Sequence, residues 1–235
     1  MRIEVWSDFT CPFCFIGRKT LEMALQQFKH REYVQIEYKC YQLDSNAGKE
    51  KTEDIYSMLM KKYGLSIEKV KEMMDQICIQ AEQIGLHFQF EKLQHANTFH
   101  AHRLVKFAER EEKEQLIIDL LFKKHFIEHE NIGERDVLLS IAKEAELNES
   151  DVDSLLCLNN YAKAVKNDEQ MAEEIGISGV PFYIFNDQHA VAGAQPLEVF
   201  VTILEELWNE EIVQEKGNNT NNQCKSSYCT GNDCE

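Results

Sequence analysis

The sequence has no long apolar run and few bases. None of its runs approaches the ~18 consecutive apolar residues of a membrane-spanning helix. The opening MRIEVW lacks the apolar core and cleavage site of a signal peptide. Only 25 Lys and Arg stand against 41 Asp and Glu, which gives a net charge of -16. Binding to a phosphate backbone needs clustered bases, so we expect a cytoplasmic protein that binds neither membrane nor nucleic acid.

Proline is also scarce, with three residues in the chain and none between Pro12 and Pro181. Proline interrupts helices, so its absence agrees with the amphipathic stripes that recur through residues 50–167. These stripes carry charged residues on their outer faces. They predict a wholly helical block in the middle of the chain.

The segments on either side of this block predict a sheet. RIEVWSDF and EYVQIEYKCYQL alternate apolar with polar residues, and a helical pattern begins between them at Pro12. This order predicts two neighbouring parallel strands joined by a helix. After the block come a helix near 162–175, two short strands split by the turn NDQ, and a helix opened by Pro196. The polar stretch KGNNTNNQ then predicts a flexible linker from about residue 214.

Eight cysteines are present, and their settings differ. Three lie among apolar neighbours and are predicted to pack in the core: Cys40, Cys78 and Cys157. Three more share the tail NNQCKSSYCTGNDCE: Cys224, Cys229 and Cys234. The remaining two form a Cys-X-X-Cys pair, which in a reducing compartment indicates redox chemistry or metal binding rather than a structural staple.

The pair Cys11-Pro12-Phe13-Cys14 favours redox chemistry. Proline is common at the first helical position, so Cys11 is predicted to be the N-cap of the first helix. Backbone amides and the helix dipole stabilise a thiolate there, which predicts Cys11 as an exposed nucleophile and Cys14 as a shielded resolving thiol. A zinc site would need two further ligands at suitable spacing, and none lies nearby, so we expect no metal.

Two stretches give the chain a family resemblance. SDFTCPFCFIGRKTLE and GISGVPFYIF together resemble the DsbA-like branch of the thioredoxin superfamily, and within it the FrnE-like proteins. NTFHAHRL and AGAQPLEVF also resemble family patterns. The resemblance implies an α/β fold in which an all-helical domain, residues 46–167, interrupts a thioredoxin domain of residues 1–45 and 168–213. A flexible tail of residues 214–235 would follow.

The resemblance also implies the activity and its residues. Cys11 and Cys14 would exchange disulfides with protein or small-molecule thiols, with no cofactor beyond their own disulfide and with glutathione as one candidate co-substrate. Pro181 would be cis and face the pair, and Val180 would present its backbone to the substrate. The expected substrate-binding set is Pro12, Phe13, Val180, Pro181, Asn97 and His102. Phe13 replaces the histidine of strongly oxidising DsbA proteins, so we expect a less oxidising pair.

Several alternatives remain open at this point. The tail pair CKSSYC resembles a motif of some FrnE-like proteins. This resemblance implies that Cys224, Cys229 and Cys234 form an auxiliary redox group. The competing interpretations are metal capture by these residues and no function. For the whole protein, the rivals are a glutathione-dependent transferase or isomerase of the kappa or hydroxychromene carboxylate isomerase type, and a non-catalytic chaperone-like binder. The glutathione-dependent enzymes typically have serine at the nucleophile position and lack the second cysteine, whereas this chain has both Cys11 and Cys14. Monomer and homodimer are both compatible with the sequence.

Overall fold

The computed structural model describes residues 1–47 and 54–223, with side chains described as far as residue 211. Within this part, one four-stranded mixed sheet forms the centre of the fold, in the order β2-β1-β3-β4. The strands are β1 (Arg2–Ser7), β2 (Gln35–Cys40), β3 (Phe182–Phe185) and β4 (His189–Ala192). β1 runs parallel to β2 and antiparallel to β3, and β3 pairs antiparallel with β4. The predicted parallel pair and hairpin are confirmed.

Helices cover both faces of the sheet. Between β1 and β2 lies α1 (Pro12–Gln27), which shares one core with Val5 and with the helix that follows β4. Trp6, the next residue along β1, points to the opposite face, because successive strand residues alternate. There it packs with Ala172 of the helix Ala162–Glu174, which we number α8.

The predicted helical block is confirmed between β2 and α8. It comprises α2 (Ile55–Tyr63), α3 (Ile67–Glu82), α4 (Phe99–Glu109), α5 (Glu114–Phe126), α6 (Arg135–Glu144) and α7 (Glu149–Cys157). Side-chain oxygens of Asp54, Ser66 and Asn148 cap α2, α3 and α7 at their free backbone amides. No helix in the described ranges is long and apolar enough to span a membrane.

The block is fastened to α1 by aromatic stacking and by an ion pair. The ring of Phe15 lies parallel to that of Phe122 on α5, with 5.0 Å between centroids. The guanidinium of Arg18, which is itself buried, donates to Asp119 of α5 at 2.9 Å. Since α1 carries both cysteines of the pair near its start, α5 fixes the helix on which any chemistry depends.

Two expectations need correction, and the predicted domain boundary at residue 167/168 falls inside α8 (Ala162–Glu174). Asp168 of this helix accepts a hydrogen bond from the Cys40 amide of β2 at 3.0 Å. The final helix α9 runs over Leu197–Gln223, so the linker predicted from 214 is helical as far as 223; extending a nucleated helix costs less than starting one. Cys40 is buried, but Cys78 is only half-buried and Cys157 is exposed at the end of α7.

The packing of α5 can be tested with two matched leucines on that helix. Leu121 is 0% exposed and Leu116 is 45% exposed. Leu121→Ala leaves a cavity and should lower the free energy of unfolding by about 2–5 kcal/mol, whereas Leu116→Ala should change it by less than about 0.5 kcal/mol. Urea unfolding followed by circular dichroism measures both. Equal losses in the two variants would contradict the described orientation of α5.

Candidate active site

The cysteine pair lies where β1 gives way to α1. Cys11 is the N-cap of α1 and Pro12 occupies its first turn, as predicted. The Cys11 amide donates to the Asp8 carbonyl at 3.2 Å, and the Cys14 amide donates to the Cys11 carbonyl at 3.1 Å. These bonds form a tight turn that presents both sulfurs at the helix N-terminus, where the dipole favours negative charge.

A second segment, distant in sequence, meets this turn. The Val180–Pro181 peptide bond is cis, as the resemblance implied. β3 begins directly after it, and the register of Trp6 with Phe182 brings the cis bond to the end of β1 from which the cysteines follow. The Cys11 thiol donates to the Val180 carbonyl across 3.4 Å. Cys11, Cys14, Val180 and Pro181 are thus brought together.

The two sulfurs are less accessible than the sequence suggested. Cys11 is 4% exposed and Cys14 is 2% exposed, so Cys11 is not the open nucleophile that was expected. The facing cis segment comes close to the Cys11 sulfur, since the Val180 carbonyl lies 3.4 Å from it. Phe13 between them is 37% exposed and offers an apolar side chain beside the pair. Both cysteines are free thiols.

The buried Cys14 thiol is hard to ionise. Burial raises the pKa of its thiol well above the ordinary value, and the adjacent Cys11 raises this pKa further by its hydrogen bond and charge. The Ser7 hydroxyl and the Asp8 amide act in the opposite direction. The Asp8 N–H lies 3.5 Å from the Cys14 sulfur. The pair therefore combines a sulfur at a helix N-terminus with a shielded second thiol.

A buried carboxylate, which the sequence analysis did not single out, supports the turn. Asp8 Oδ2 accepts from the Leu43 amide at 2.7 Å and from the Thr10 hydroxyl at 3.2 Å. Its Oδ1 faces His102 Nε2 at 3.6 Å. Burial alone raises the pKa of Asp8, but the His102 ring and the Leu43 amide outweigh it, and the net pKa lies below its ordinary value. The available signal was an acid placed directly after a buried strand and three residues before the first cysteine.

Asn97 and His102 were expected to contact substrate, and the structure shows the contacts that both side chains make within the protein. The Asn97 amide donates to the carbonyls of Ser45 and Ala47 at 3.2 and 3.3 Å. His102 is buried, and its Nε2 lies 3.1 Å from the Tyr41 carbonyl. Asn97 thus holds the segment after β2, and His102 supports Asp8 from α4. Of the two, only His102 is buried.

The remaining expectations concern metals and the tail. Among the described residues, no group of three or more His, Cys, Asp or Glu side chains is arranged to hold a metal ion. Cys224, Cys229 and Cys234 lie outside the described residues. Cys40 sits in a setting unlike that of the pair, because burial raises the pKa of its thiol well above the ordinary value and Asp168 adds to this. Inert, buried thiols of this kind serve packing.

The lowered pKa of Asp8 makes its contribution to stability depend on pH. A carboxyl whose pKa is lowered by folding stabilises the native state above its unfolded pKa of about 4, and that contribution is lost as the pH falls through the folded value. Asp8→Asn should therefore lower the free energy of unfolding by about 1–3 kcal/mol at pH 7, and the difference from the unmodified protein should shrink below pH 4.

Urea unfolding of both proteins at stepped pH measures this difference. Asp75→Asn, at an exposed position of α3, is the matched control and should stay within about 0.5 kcal/mol throughout. A stability difference at Asp8 that is independent of pH would show that the carboxylate charge contributes nothing.

Comparisons with known proteins agree with this geometry. The chain is 28% identical over 204 residues to the uncharacterized protein YwbO of Bacillus subtilis, covering 85% of this chain and 94% of YwbO. A probable DsbA oxidoreductase from Streptomyces coelicolor superposes with a TM-score of 0.84 at 32% identity, covering 89% and 91% of the two chains. A 2-hydroxychromene-2-carboxylate isomerase shares the fold at 13% identity, with a TM-score of 0.61 over 95% of this chain and 99% of that one. The model of the DSBA-like thioredoxin domain matches residues 2–205, and the chain belongs to that family of thiol-disulfide oxidoreductases.

Proposed function

We propose that this protein is a thiol-disulfide oxidoreductase of the FrnE-like branch and that it acts in the cytoplasm through Cys11 and Cys14. One observation carries the proposal: the Cys11 sulfur lies at the N-terminus of α1, 3.4 Å from the Val180 carbonyl of the cis segment, with the free Cys14 thiol one turn further on.

The reaction proceeds in two exchanges. The Cys11 thiolate attacks one sulfur of a substrate disulfide, so that a Cys11–substrate bond forms and the other substrate sulfur leaves as a thiolate. The Cys14 thiolate then attacks Cys11, which closes the Cys11–Cys14 disulfide and releases the second substrate thiolate. The substrate gains two electrons and the protein loses them. The reverse sequence oxidises a substrate dithiol.

The first exchange makes the second one easier. Before the reaction, Cys11 raises the pKa of Cys14 through its hydrogen bond and, once Cys11 has lost its proton, through its negative charge. A Cys11 sulfur held in a mixed disulfide is no longer an anion, so its charge ceases to oppose ionisation of Cys14. Cys14 therefore ionises more readily once the mixed disulfide has formed, which is the stage at which its thiolate is required.

The cis segment supplies a place for the substrate backbone. In the dithiol form the Val180 carbonyl accepts the Cys11 thiol, and loss of that proton frees the carbonyl for another donor. An extended peptide can then donate a backbone amide to Val180 and lie beside Pro181 as an added strand. Pro12 and the part-exposed Phe13 flank the attacked sulfur and offer apolar contact.

Two serine variants should separate the steps. Cys11→Ser should reduce disulfide exchange with a disulfide-bonded peptide to background, because the attacking sulfur is lost. Cys14→Ser should accumulate the Cys11–peptide mixed disulfide, since nothing resolves it. Mass spectrometry of acid-quenched mixtures measures both, with Cys78→Ser on α3 as a control that should keep full activity. Unchanged exchange by Cys11→Ser would sink the proposal and favour a non-catalytic binder.

A glutathione redox titration should give a Cys11–Cys14 potential more negative than the about -120 mV of DsbA. Phe13 neither donates a hydrogen bond nor adds positive charge, so it stabilises the reduced pair less than the histidine of DsbA would. Mass-spectrometric mapping at each potential would also show whether Cys224, Cys229 and Cys234 form an auxiliary pair. A value at or above that of DsbA would contradict the argument from Phe13, and a Cys11 that carries only glutathione would favour the transferase alternative.

A further inference from the structure

Tyr183 stands in the wall behind the cysteine pair. It is the second residue of β3, two positions after the cis Pro181, and pairs in register with Val5 of β1. Its side chain is fully buried, in the same apolar cluster as Cys11 and Cys14. The ring meets that of Phe200 edge to face at 5.0 Å.

The hydroxyl of Tyr183 has no hydrogen-bond partner in the described part of the chain. Burying an unsatisfied hydroxyl costs free energy, so such a group in a native protein calls for an explanation. Tyr38 on the neighbouring strand shows the usual arrangement, because its buried hydroxyl accepts from Arg18. Tyr183 carries a donor with no use in the dithiol form.

Gly17 leaves the space that this hydroxyl occupies. A Cβ atom added to Gly17 would lie 2.2 Å from the Tyr183 oxygen and 3.3 Å from Cγ of Pro181. Gly17 follows Cys14 by three residues on α1, and residues at that spacing are neighbours on one helix face. The absence of a side chain at Gly17 therefore leaves room for the hydroxyl under the turn that carries Cys14.

The hydroxyl is also held in its donor state. Burial raises the pKa of Tyr183 well above the ordinary value, and the negative charge of a nearby Cys14 thiolate raises it further. Tyrosine therefore keeps its proton while Cys14 ionises, and it can donate but not remove a proton.

We propose that Tyr183 is a positioning residue for Cys14, whose hydroxyl donates a hydrogen bond to the Cys14 sulfur when that sulfur is a thiolate. The proposal rests on the proposed function and concerns its second exchange. In that step the Cys14 sulfur bonds to the Cys11 sulfur, the bond from Cys11 to the substrate breaks, and the substrate leaves as a thiolate. The tyrosine proton stays on its oxygen throughout.

A further donor matters because Cys14 is so deeply buried. The other donors near its sulfur are the Asp8 amide, at 3.5 Å, and the Ser7 hydroxyl. Hydrogen bonds to a charged group are stronger than those between neutral groups, and they count for more where water is excluded. The same hydroxyl thus destabilises the dithiol form, where it has no partner, and stabilises the Cys14 thiolate during the second exchange.

The test uses Tyr183→Phe, which removes the hydroxyl and keeps the ring. The full chain is prepared with every cysteine except Cys11, Cys14 and the buried Cys40 replaced by serine, namely Cys78, Cys157, Cys224, Cys229 and Cys234. Mixing the dithiol protein with a chromogenic aromatic disulfide releases one coloured thiolate when Cys11 attacks and a second when Cys14 resolves the mixed disulfide. Stopped-flow absorbance from pH 6 to pH 10 gives both rates and their pH profiles.

In Tyr183→Phe the first phase should be unchanged within about twofold, while the second slows about tenfold at pH 7 and its pH profile moves to higher pH. The stability of the dithiol form should not fall, because the lost hydroxyl had no partner. Tyr38→Phe is the matched control: removing a hydroxyl that accepts from Arg18 should lower stability and leave the pH profile of the second phase in place.

Two results would overturn the assignment. One is a second phase in Tyr183→Phe with unchanged rate and pH profile. The other is a slower second phase with a fixed pH profile and a loss of stability like that of Tyr38→Phe, which would mark a merely structural role. Failure of the proposed function itself looks different, because the unmodified protein would then release no second thiolate.

Discussion

Antiparallel pairing of β1 with β3 is the constraint on which the site depends, because it brings together Cys11 and Val180, which are 169 residues apart in the chain. Neither partner could be positioned by local structure alone. Antiparallel pairing of β1 with β3 sets the register, and the cysteine turn and the cis bond then lie at the same end of those strands. The central sheet thus assembles a redox centre from two segments that the whole helical block separates in sequence.

The helical block supports this centre as well as interrupting the sheet domain. His102 of α4 faces the Asp8 carboxylate, which also binds the Leu43 amide after β2, and Phe122 of α5 stacks on Phe15 directly after the cysteines. Elements that follow β2 therefore contact the residues just before and just after the two cysteines. Loss of order in the block would loosen the sulfurs even where no substrate contact is made by the block.

Sequence reasoning identified the parts of the site that have a strong local signature. The dipeptide Cys11-Pro12 predicted the start of α1. The apolar alternation in β1 and β2, with a helix between them, predicted two parallel strands. The cis bond at Pro181 came only from the family resemblance, because most X-Pro bonds are trans. The roles of Asn97 and His102 in substrate binding stay predictions, and the contacts that these side chains make within the protein could not be read from the sequence, because they join segments that are distant along the chain. Asp8 and Tyr183 were missed because burial is a property of the assembled fold.

The site combines two requirements that oppose each other. Burial of Cys14 shields it from other thiols, yet the same burial raises its pKa and disfavours the thiolate that must resolve the mixed disulfide. Proteins reconcile such demands with donors fixed in place before the charge appears, since a donor already aligned needs no reorganisation when the anion forms. The Asp8 amide is one such donor at the cysteine turn, anchored through its own carboxylate. The Tyr183 hydroxyl, which is buried and has no hydrogen-bond partner among the described residues, is the further donor that we propose for the Cys14 thiolate.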